Sequence, residues 1–226
     1  GAHALWWSSR NPARAVPPLP RQTVVCPRFE GCERMEPNVL VLDYCDYEGP
    51  GGVALEGASA AAADSTNWHA QGFPQNLWQG SIQFRRNFLD APIAAASGFA
   101  VRYHFRVASG MLPRTDIRAA VERPWLYEVR CNGIEIPQDD AETWFDEDVR
   151  LLPLAHAVRP GPNVLELRAR RFHVLAEIKP VILRGDFRAI PDDAGFVLAP
   201  SRPWETGRDW AAEGAPFYPG RARYSF

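Results

Sequence analysis

This 226-residue sequence lacks a large excess of either positive or negative charge. Its 25 basic and 27 acidic residues are scattered along the chain and leave a net charge of −2. Such a chain has no electrostatic footprint for phosphate backbones or anionic lipid, so we expect neither nucleic acid nor membrane as a partner. Its longest apolar runs, such as 39–42 and 60–63, fall far short of the roughly 20 residues needed to span a bilayer.

The motifs of the common catalytic and nucleotide-binding sites are also missing. The sequence has no P-loop and no GxGxxG run, which leaves nucleotide-dependent chemistry without support. The histidines have no HxH or HExxH spacing, and no Gly-x-Ser-x-Gly elbow accompanies them. Zinc chemistry and Ser-His-Asp hydrolysis therefore lack a signature. These histidines include His69, His104, His156 and His173.

Cysteines are few. The four, at positions 26, 32, 45 and 131, match no CxxC metal pattern and are too sparse for a disulfide framework. We interpret them as reduced and structural. A bridge between Cys26 and Cys32 is the alternative, because Pro27 and Gly31 would let that short loop fold back.

Turn-forming residues, in contrast, are abundant. The 21 prolines and 17 glycines punctuate short apolar or alternating runs, as in a multi-stranded β protein. Asn132-Gly133 is a strong hairpin signal. Residues 48–64 have little bulk and no period of two, which indicates a long loop or a short alanine-rich helix, and we predict the loop. Strands are predicted at 38–44, 81–88, 99–107, 116–121, 126–131, 163–169 and 181–183.

The clearest strand signal is the run FAVRYHFRV at 99–107. Its large apolar residues fall on one face and its polar residues on the other. No segment of helical period and adequate length separates the predicted strands, which argues against a βαβ sheet. The fold class is therefore predicted as all-β, an antiparallel β-sandwich with jelly-roll connections. The residues predicted to face the core are Phe99, Val101, Tyr103, Phe105 and Val107.

Several stretches follow one another in an order that resembles a known family. They are 78–88 (WQGSIQFRRNF), 122–133 (ERPWLYEVRCNG), 144–146 (WFD), 160–167 (PGPNVLEL) and 177–187. In this order they resemble the galactose-binding-like sandwich domains of glycoside hydrolases of the β-galactosidase, β-glucuronidase and α-L-rhamnosidase-like types. The resemblance covers residues 38–226 and implies an accessory domain.

The resemblance also implies a division of the chain. Residues 1–37 are predicted as an N-terminal extension or as strands of a preceding domain, 38–190 as the galactose-binding-like sandwich, and 191–226 as a C-terminal extension or the start of a second sandwich. No catalytic barrel is recognisable, so the family's hydrolytic residues have no positions here. The start lacks an initiator methionine and the tail is dense in aromatic residues, so we expect a piece of a larger polypeptide.

Eight tryptophans carry the hypothesis of sugar binding. A sugar site needs an exposed aromatic plane beside fixed hydrogen-bonding groups, usually on loops at one end of a sandwich. Packing in the core or under a loop is the alternative for each ring. The predicted carbohydrate-binding residues are Trp68, Trp78, Trp125 and Trp144, with Glu122, Arg123 and Asn132 flanking the Trp125 strand.

Acidic residues cluster between 139 and 148. Carboxylates and backbone carbonyls are the ligands that Ca²⁺ prefers, and Asp139, Asp140 and Asp146 are the candidates to hold a structural calcium. No EF-hand register occurs, so we interpret the stretch as a solvated acidic loop and predict no cofactor. The same acids support a rival enzyme hypothesis, because glycoside hydrolysis needs two carboxylates that face each other across a cleft.

Three functions stay open at this point. The first is a non-catalytic module of a multidomain glycoside hydrolase, with carbohydrate or a neighbouring catalytic domain of the same polypeptide as its partner. The second is a stand-alone small hydrolase or lyase that acts on glycans through paired carboxylates. The third is a purely structural spacer between domains. Exposed loop tryptophans favour the first over the third, and a deep cleft with two facing acids would favour the second.

Overall fold

The computed structural model describes residues 28–79, 92–111, 116–139, 141–205 and 209–226. Strands dominate its secondary structure, and one segment of this part of the chain, α1 (Ala60–Ala70), is an α-helix. No helix within these ranges is long and apolar enough to cross a membrane. In chain order the strands are β1 (Gly31–Arg34), β2 (Asn38–Leu42), β3 (Tyr44–Glu48), β4 (Ala54–Ser59), β5 (Phe99–Val107), β6 (Ile117–Glu122), β7 (Glu128–Cys131), β8 (Ile134–Glu135), β9 (Glu142–Trp144), β10 (Asp146–Pro153), β11 (Gly161–Ala169), β12 (Val181–Gly185), β13 (Phe187–Asp192), β14 (Gly195–Pro200) and β15 (Ala222–Ser225).

Two sheets share one buried core. The five-stranded sheet has the order β2-β12-β6-β10-β9, and the larger sheet has the order β13-β14-β5-β11-β7-β8 with β3 and β4 beside β5. Neighbouring strands pair antiparallel, apart from a short parallel contact between β14 and β5. Leu40, Leu152 and Leu183 from the smaller sheet meet Val101 and Leu165 from the larger one in the core. The predicted all-β sandwich is confirmed.

The strand predicted from alternation at 99–107 is β5. Its five large apolar residues are buried, whereas His104 and Arg106 are exposed. Every residue of β5 pairs with β11, from Phe99 opposite Ala169 to Val107 opposite Gly161. The period of two is therefore confirmed, and it arises because one face of β5 covers the core while the other contacts water.

The hairpin predicted at Asn132-Gly133 is also confirmed. Cys131 pairs with Ile134, so these two residues form the whole turn between β7 and β8. Their φ angles are 52° and 82°. A two-residue turn of this kind requires positive φ at both positions, which asparagine and glycine adopt most readily.

The loop predicted at 48–64 is wrong, because β4 and α1 occupy much of that segment. The helix begins after Ser59, whose side-chain oxygen accepts a hydrogen bond from the Ala62 N–H. A serine cap followed by alanines, the residues of highest helix propensity, accounts for the helix physically. The alanine run gave no amphipathic period, and the first large buried residue of α1 is Trp68.

One end of the sandwich concerns function most directly. β6 ends at Glu122 and β7 begins in the larger sheet, so residues 123–127 cross from one sheet to the other. β2 ends and β12 begins at this same end, where Leu42 pairs with Val181. We call it the Trp125 end, after the exposed residue in the middle of the crossing.

A two-stranded sheet joins two distant parts of the chain. β1 pairs antiparallel with β15, and Gly31 lies opposite Ser225. The predicted boundary between residues 190 and 191 falls inside β13. The division into extensions and sandwich stays a prediction. A second, smaller core beside this sheet contains Cys32, Trp204, Ala215 and Tyr218.

Two predictions fall outside the described residues, namely the strand at 81–88 and any bridge that involves Cys26. Cys32, Cys45 and Cys131 are free and buried, as the sequence indicated. Burial raises the pKa of the Cys45 and Cys131 thiols to about 11. Both thiols are therefore protonated near neutral pH and poorly reactive.

Candidate functional site

A pocket of about 400 Å³ opens at the Trp125 end, between α1 and the loop that precedes β12. It combines an indole ring with charged and amide side chains. We call it the Trp78 pocket. The aromatic, charged and amide side chains that line it are those of Asp43, Asp64, Asn76, Trp78, Gln79, Glu177 and Lys179.

A hydrogen-bonded network holds this pocket in shape. Asn76 Nδ2 donates to Asp64 Oδ2 at 2.7 Å and to Glu177 Oε1 at 2.8 Å. The other oxygen of Asp64 accepts a hydrogen bond from the Ile178 N–H at 2.9 Å. These bonds connect α1 and the loop that follows it with the loop at 177–178, which is more than a hundred residues away in sequence. The network is therefore a product of the tertiary fold.

The Trp78 side chain is held through its backbone and through its ring. Its N–H donates to Asn76 Oδ1 at 2.8 Å, and its indole Nε1–H donates to the Val174 carbonyl. The ring is half-buried beside the core. A ring fixed in this way loses little rotamer entropy when a ligand packs against it.

The polar groups at the mouth of the pocket are able to contact a ligand. Lys179, the only lysine of the chain, has its Nζ 3.1 Å from Glu177 Oε1 and is about half exposed. Asp43 and Gln79 are exposed, and within the described ranges their side chains form no hydrogen bond. Ammonium, carboxylate and amide groups thus surround the indole ring.

Two acids at this end are partly desolvated. Burial raises the pKa of the Asp64 carboxyl, and the hydrogen bonds from Ile178 and Asn76 only partly offset it. Burial likewise raises the pKa of Glu122, against the effect of the nearby Arg123 cation. Both carboxyls belong to a shielded polar region and not to open surface.

Arg123 fixes the crossing between the sheets. Its guanidinium donates two hydrogen bonds to Asp148 Oδ2, at 2.9 and 2.7 Å, and lies 3.1 Å from Glu122 Oε1. The backbone of Arg123 is left-handed, with φ of 46°. That conformation costs about 1–2 kcal/mol in a residue with a side chain. Glu122 and Arg123, both predicted as binding residues, therefore stabilise the backbone that leads to Trp125.

Trp125 is the most exposed of the predicted tryptophans, with 53% of its surface accessible. The Arg150 guanidinium lies 5.9 Å from the centroid of its ring, in a cation–π contact. Trp125 does not line the Trp78 pocket. It lines two other concave surfaces at the same end of the molecule.

The structure places Trp68 and Trp144 in different surroundings. Trp68 is fully buried and packs edge-on against Phe73 and Phe172, so it offers no face to a sugar. It is a core residue, the alternative that was open for each ring. Trp144 is half-buried in β9, with its ring centroid 4.3 Å from that of the exposed Phe145.

Asn132 lies at the far end of β7, away from Trp125 and from the Trp78 pocket. Its Nδ2 donates to the Ala157 carbonyl at 2.9 Å and to Asn163 Oδ1 at 2.8 Å. Its Oδ1 accepts a hydrogen bond from the Val164 N–H at 3.1 Å. The side chain thus stabilises the turn, and the structure does not bring it together with Glu122 and Arg123.

The acidic stretch 139–148 is dispersed. Glu142 and Asp148 form ion pairs with arginines, and Asp146 Oδ1 accepts a hydrogen bond from the Asp148 N–H at 2.9 Å. Asp139 borders one concave surface beside Trp125, and Asp140 lies outside the described residues. In the part of the chain that is described, no three side chains of metal-ligating type come together. The prediction of no cofactor stays a prediction, with a structural calcium as its alternative.

Sequence analysis did not single out Asp64, Asn76, Glu177 or Lys179. Each is an isolated polar residue without a motif around it, and the fold alone brings them together. The sequence offered one signal for Lys179, namely that it is the single lysine of the chain.

The arrangement suits binding better than bond cleavage. An aromatic face with several hydrogen-bonding groups is what a hydroxyl-rich ligand needs. Both oxygens of Asp64 and one oxygen of Glu177 already accept hydrogen bonds from protein donors. Proton transfer from Asp64 to a substrate would require breaking this network.

Neither a protein-family model nor a curated protein sequence matches the chain. Among solved structures the chain is similar to a rhamnosidase from Novosphingobium sp. PP1Y, with 16% sequence identity and a TM-score of 0.36. The similarity covers 74% of this chain and 16% of the rhamnosidase chain. A similarity of this size leads to no conclusion about activity.

Proposed function

We propose that the chain is a non-catalytic, carbohydrate-binding accessory module of a multidomain glycoside hydrolase, with a galactose-binding-like jelly-roll fold. The sugar binds in the Trp78 pocket. The neighbouring catalytic domain of the same polypeptide is the second partner.

One observation carries this proposal. The fixed ring of Trp78 stands beside three polar groups that are open to a ligand, on Asp43, Gln79 and Lys179. The pocket volume of about 400 Å³ falls within the roughly 300–1,000 Å³ typical of small-ligand sites. Sugar recognition needs this combination of an aromatic face and preformed hydrogen-bonding groups.

The two rival functions fit less well. The pair Asp64 and Glu177 does not resemble two acids that face each other across a cleft, because both accept a hydrogen bond from the same amide nitrogen of Asn76. A pure spacer needs its aromatic residues covered, whereas Trp125 is largely exposed.

Calorimetric titration with a panel of neutral and acidic oligosaccharides tests the proposal. We expect Asp43→Ala and Lys179→Met each to weaken binding about tenfold, because each removes a charged hydrogen-bonding group. Asp186→Ala is the matched control, since Asp186 is exposed at the opposite end of the molecule. Equal affinities in all three variants would refute the assignment of the pocket.

The single lysine permits a second measurement. Acetylation of Lys179, followed by mass spectrometry of its peptide, should slow when the sugar is bound, because the ligand covers the amine. A sugar that binds without slowing the acetylation would place the site elsewhere.

Assays with aryl glycosides separate the module from the rival enzyme. We expect no release of the chromogenic group. Release that Glu177→Gln abolishes would favour the hydrolase hypothesis instead.

A further inference from the structure

Trp125 lies outside the Trp78 pocket, in a turn whose backbone is fixed by hydrogen bonds. It lies in a turn closed by the hydrogen bonds from Leu126 N–H to the Arg123 carbonyl at 3.0 Å and from Tyr127 N–H to the Pro124 carbonyl at 2.9 Å. The Arg123 ion pair with Asp148 fixes the start of this turn. A large aromatic ring is thus exposed on a backbone that has little freedom to move.

Arginines flank the ring on both sides. Arg150 contacts the ring itself, and a concave surface of about 330 Å³ beside it is lined by Arg168, Arg170 and Arg171. Glu128 is the acidic residue of that lining, and it forms an ion pair with Arg170.

Two of these arginines have contacts other than ion pairs with carboxylates in the described part of the chain. Arg171 donates a hydrogen bond to the Ile93 carbonyl at 2.6 Å, and Arg150 contacts the Trp125 ring. Within the described ranges neither guanidinium forms an ion pair with a carboxylate. Arg150 and Arg171 therefore present two cations that no carboxylate pairs with in the described part of the chain, while Asp139 borders the surface on the Arg150 side.

From this geometry we infer that Trp125, Arg150 and Arg171 form a second binding surface, which takes an acidic glycan through the carboxylates of its uronic acid residues. The inference rests on the proposed function and extends it to a second site with a defined ligand class. The indole face packs against a sugar ring, and the planar guanidinium forks pair with carboxylate oxygens. A neutral sugar has no carboxylate with which Arg150 and Arg171 could form an ion pair.

An oligogalacturonate and its methyl ester are the matched probes, because esterification removes the charge of the carboxyl group and leaves the sugar rings unchanged. We expect the oligogalacturonate to bind at least about tenfold more tightly in calorimetric titrations. Arg150→Gln and Arg171→Gln should each weaken that binding about tenfold, and Trp125→Ala by at least as much. Arg223→Gln is the control, since it removes the same charge from an exposed residue of β15.

Three further outcomes would overturn the inference. Dextran sulfate that binds as tightly as oligogalacturonate and is insensitive to Trp125→Ala would indicate attraction of any polyanion. A single-stranded oligonucleotide that binds more tightly than the glycan would identify another ligand class. Glycan binding unchanged by the three variants would remove this surface and leave the Trp78 pocket in place. If no glycan of either kind binds, the proposed function fails as well.

Discussion

Asp64 offers the sharpest test of the network behind the Trp78 pocket. Its two oxygens accept hydrogen bonds from the Ile178 N–H and from Asn76 Nδ2, at 2.9 and 2.7 Å. Replacement by alanine leaves the Ile178 N–H unpaired and removes one of the two acceptors of Asn76 Nδ2, which still donates to Glu177 Oε1. An unpaired buried donor costs about 1–3 kcal/mol, but loss of the poorly solvated carboxylate returns part of that cost. We expect Asp64→Ala to lower the free energy of unfolding by about 2–4 kcal/mol.

Asp64→Asn distinguishes hydrogen bonding from packing. An asparagine has the same shape but a single acceptor oxygen, so its amide nitrogen must face either the Ile178 N–H or the Asn76 amide as donor against donor. We expect about half the loss seen with alanine. Asp116→Asn is the control, because Asp116 is exposed in a surface ion pair and should change stability by less than about 1 kcal/mol.

Urea denaturation followed by tryptophan fluorescence measures these free energies, because α1 carries the buried Trp68. A loss below about 1 kcal/mol for Asp64→Ala would show that the network does not stabilise the fold. The reasoning would also fail if Asp64→Asn were as stable as the unmodified protein.

Three other predictions follow from burial. Phe105→Ala should lower the free energy of unfolding in urea by about 3–5 kcal/mol, since the ring lies on the face of β5 that packs into the core. A loss below about 1 kcal/mol would contradict the register of β5. Cys45 and Cys131 should resist a thiol reagent at pH 8 until urea unfolds the chain, because burial raises the pKa of both thiols to about 11. Rapid labelling of either thiol in the folded protein would refute this. The raised pKa of Glu122 means that the folded state binds its proton more tightly than the unfolded state does, so this residue lowers stability as pH rises above about 4. Glu122→Gln should flatten that decline when the free energy of unfolding is measured across pH. An unchanged profile would show that Glu122 binds its proton equally tightly in the folded and unfolded states.

The sandwich could be predicted from sequence wherever one face of a strand contacts water. β5 is the example, because its five apolar residues alternate with arginines and a histidine. The Asn132-Gly133 turn could be predicted because its backbone angles admit few residue types. α1 was missed because a run of alanines has no apolar face, and its helical state depends on the Ser59 cap and on the packing of Trp68.

The candidate site was less accessible to sequence analysis. Trp78 and Trp125 were proposed as aromatic platforms, and the structure places both at one end of the molecule. Their polar partners were chosen by proximity in sequence, which placed Asn132 beside Trp125 although a whole strand separates them. Asp64 and Glu177 share one amide nitrogen across more than a hundred residues of chain. No local pattern reports such a contact, since it depends on the order of strands in two sheets.

The antiparallel pairing of β1 with β15 has a mechanical consequence. Gly31 lies opposite Ser225, and the chain leaves both strands at the same end of the ladder, where the Phe29 and Phe226 rings meet edge to face. Tension between Phe29 and Phe226 would therefore load the hydrogen bonds one after another and open the pair like a zipper. The five-stranded and eight-stranded sheets would bear no load until that ladder had opened, so the small sheet would yield first when the molecule is stretched.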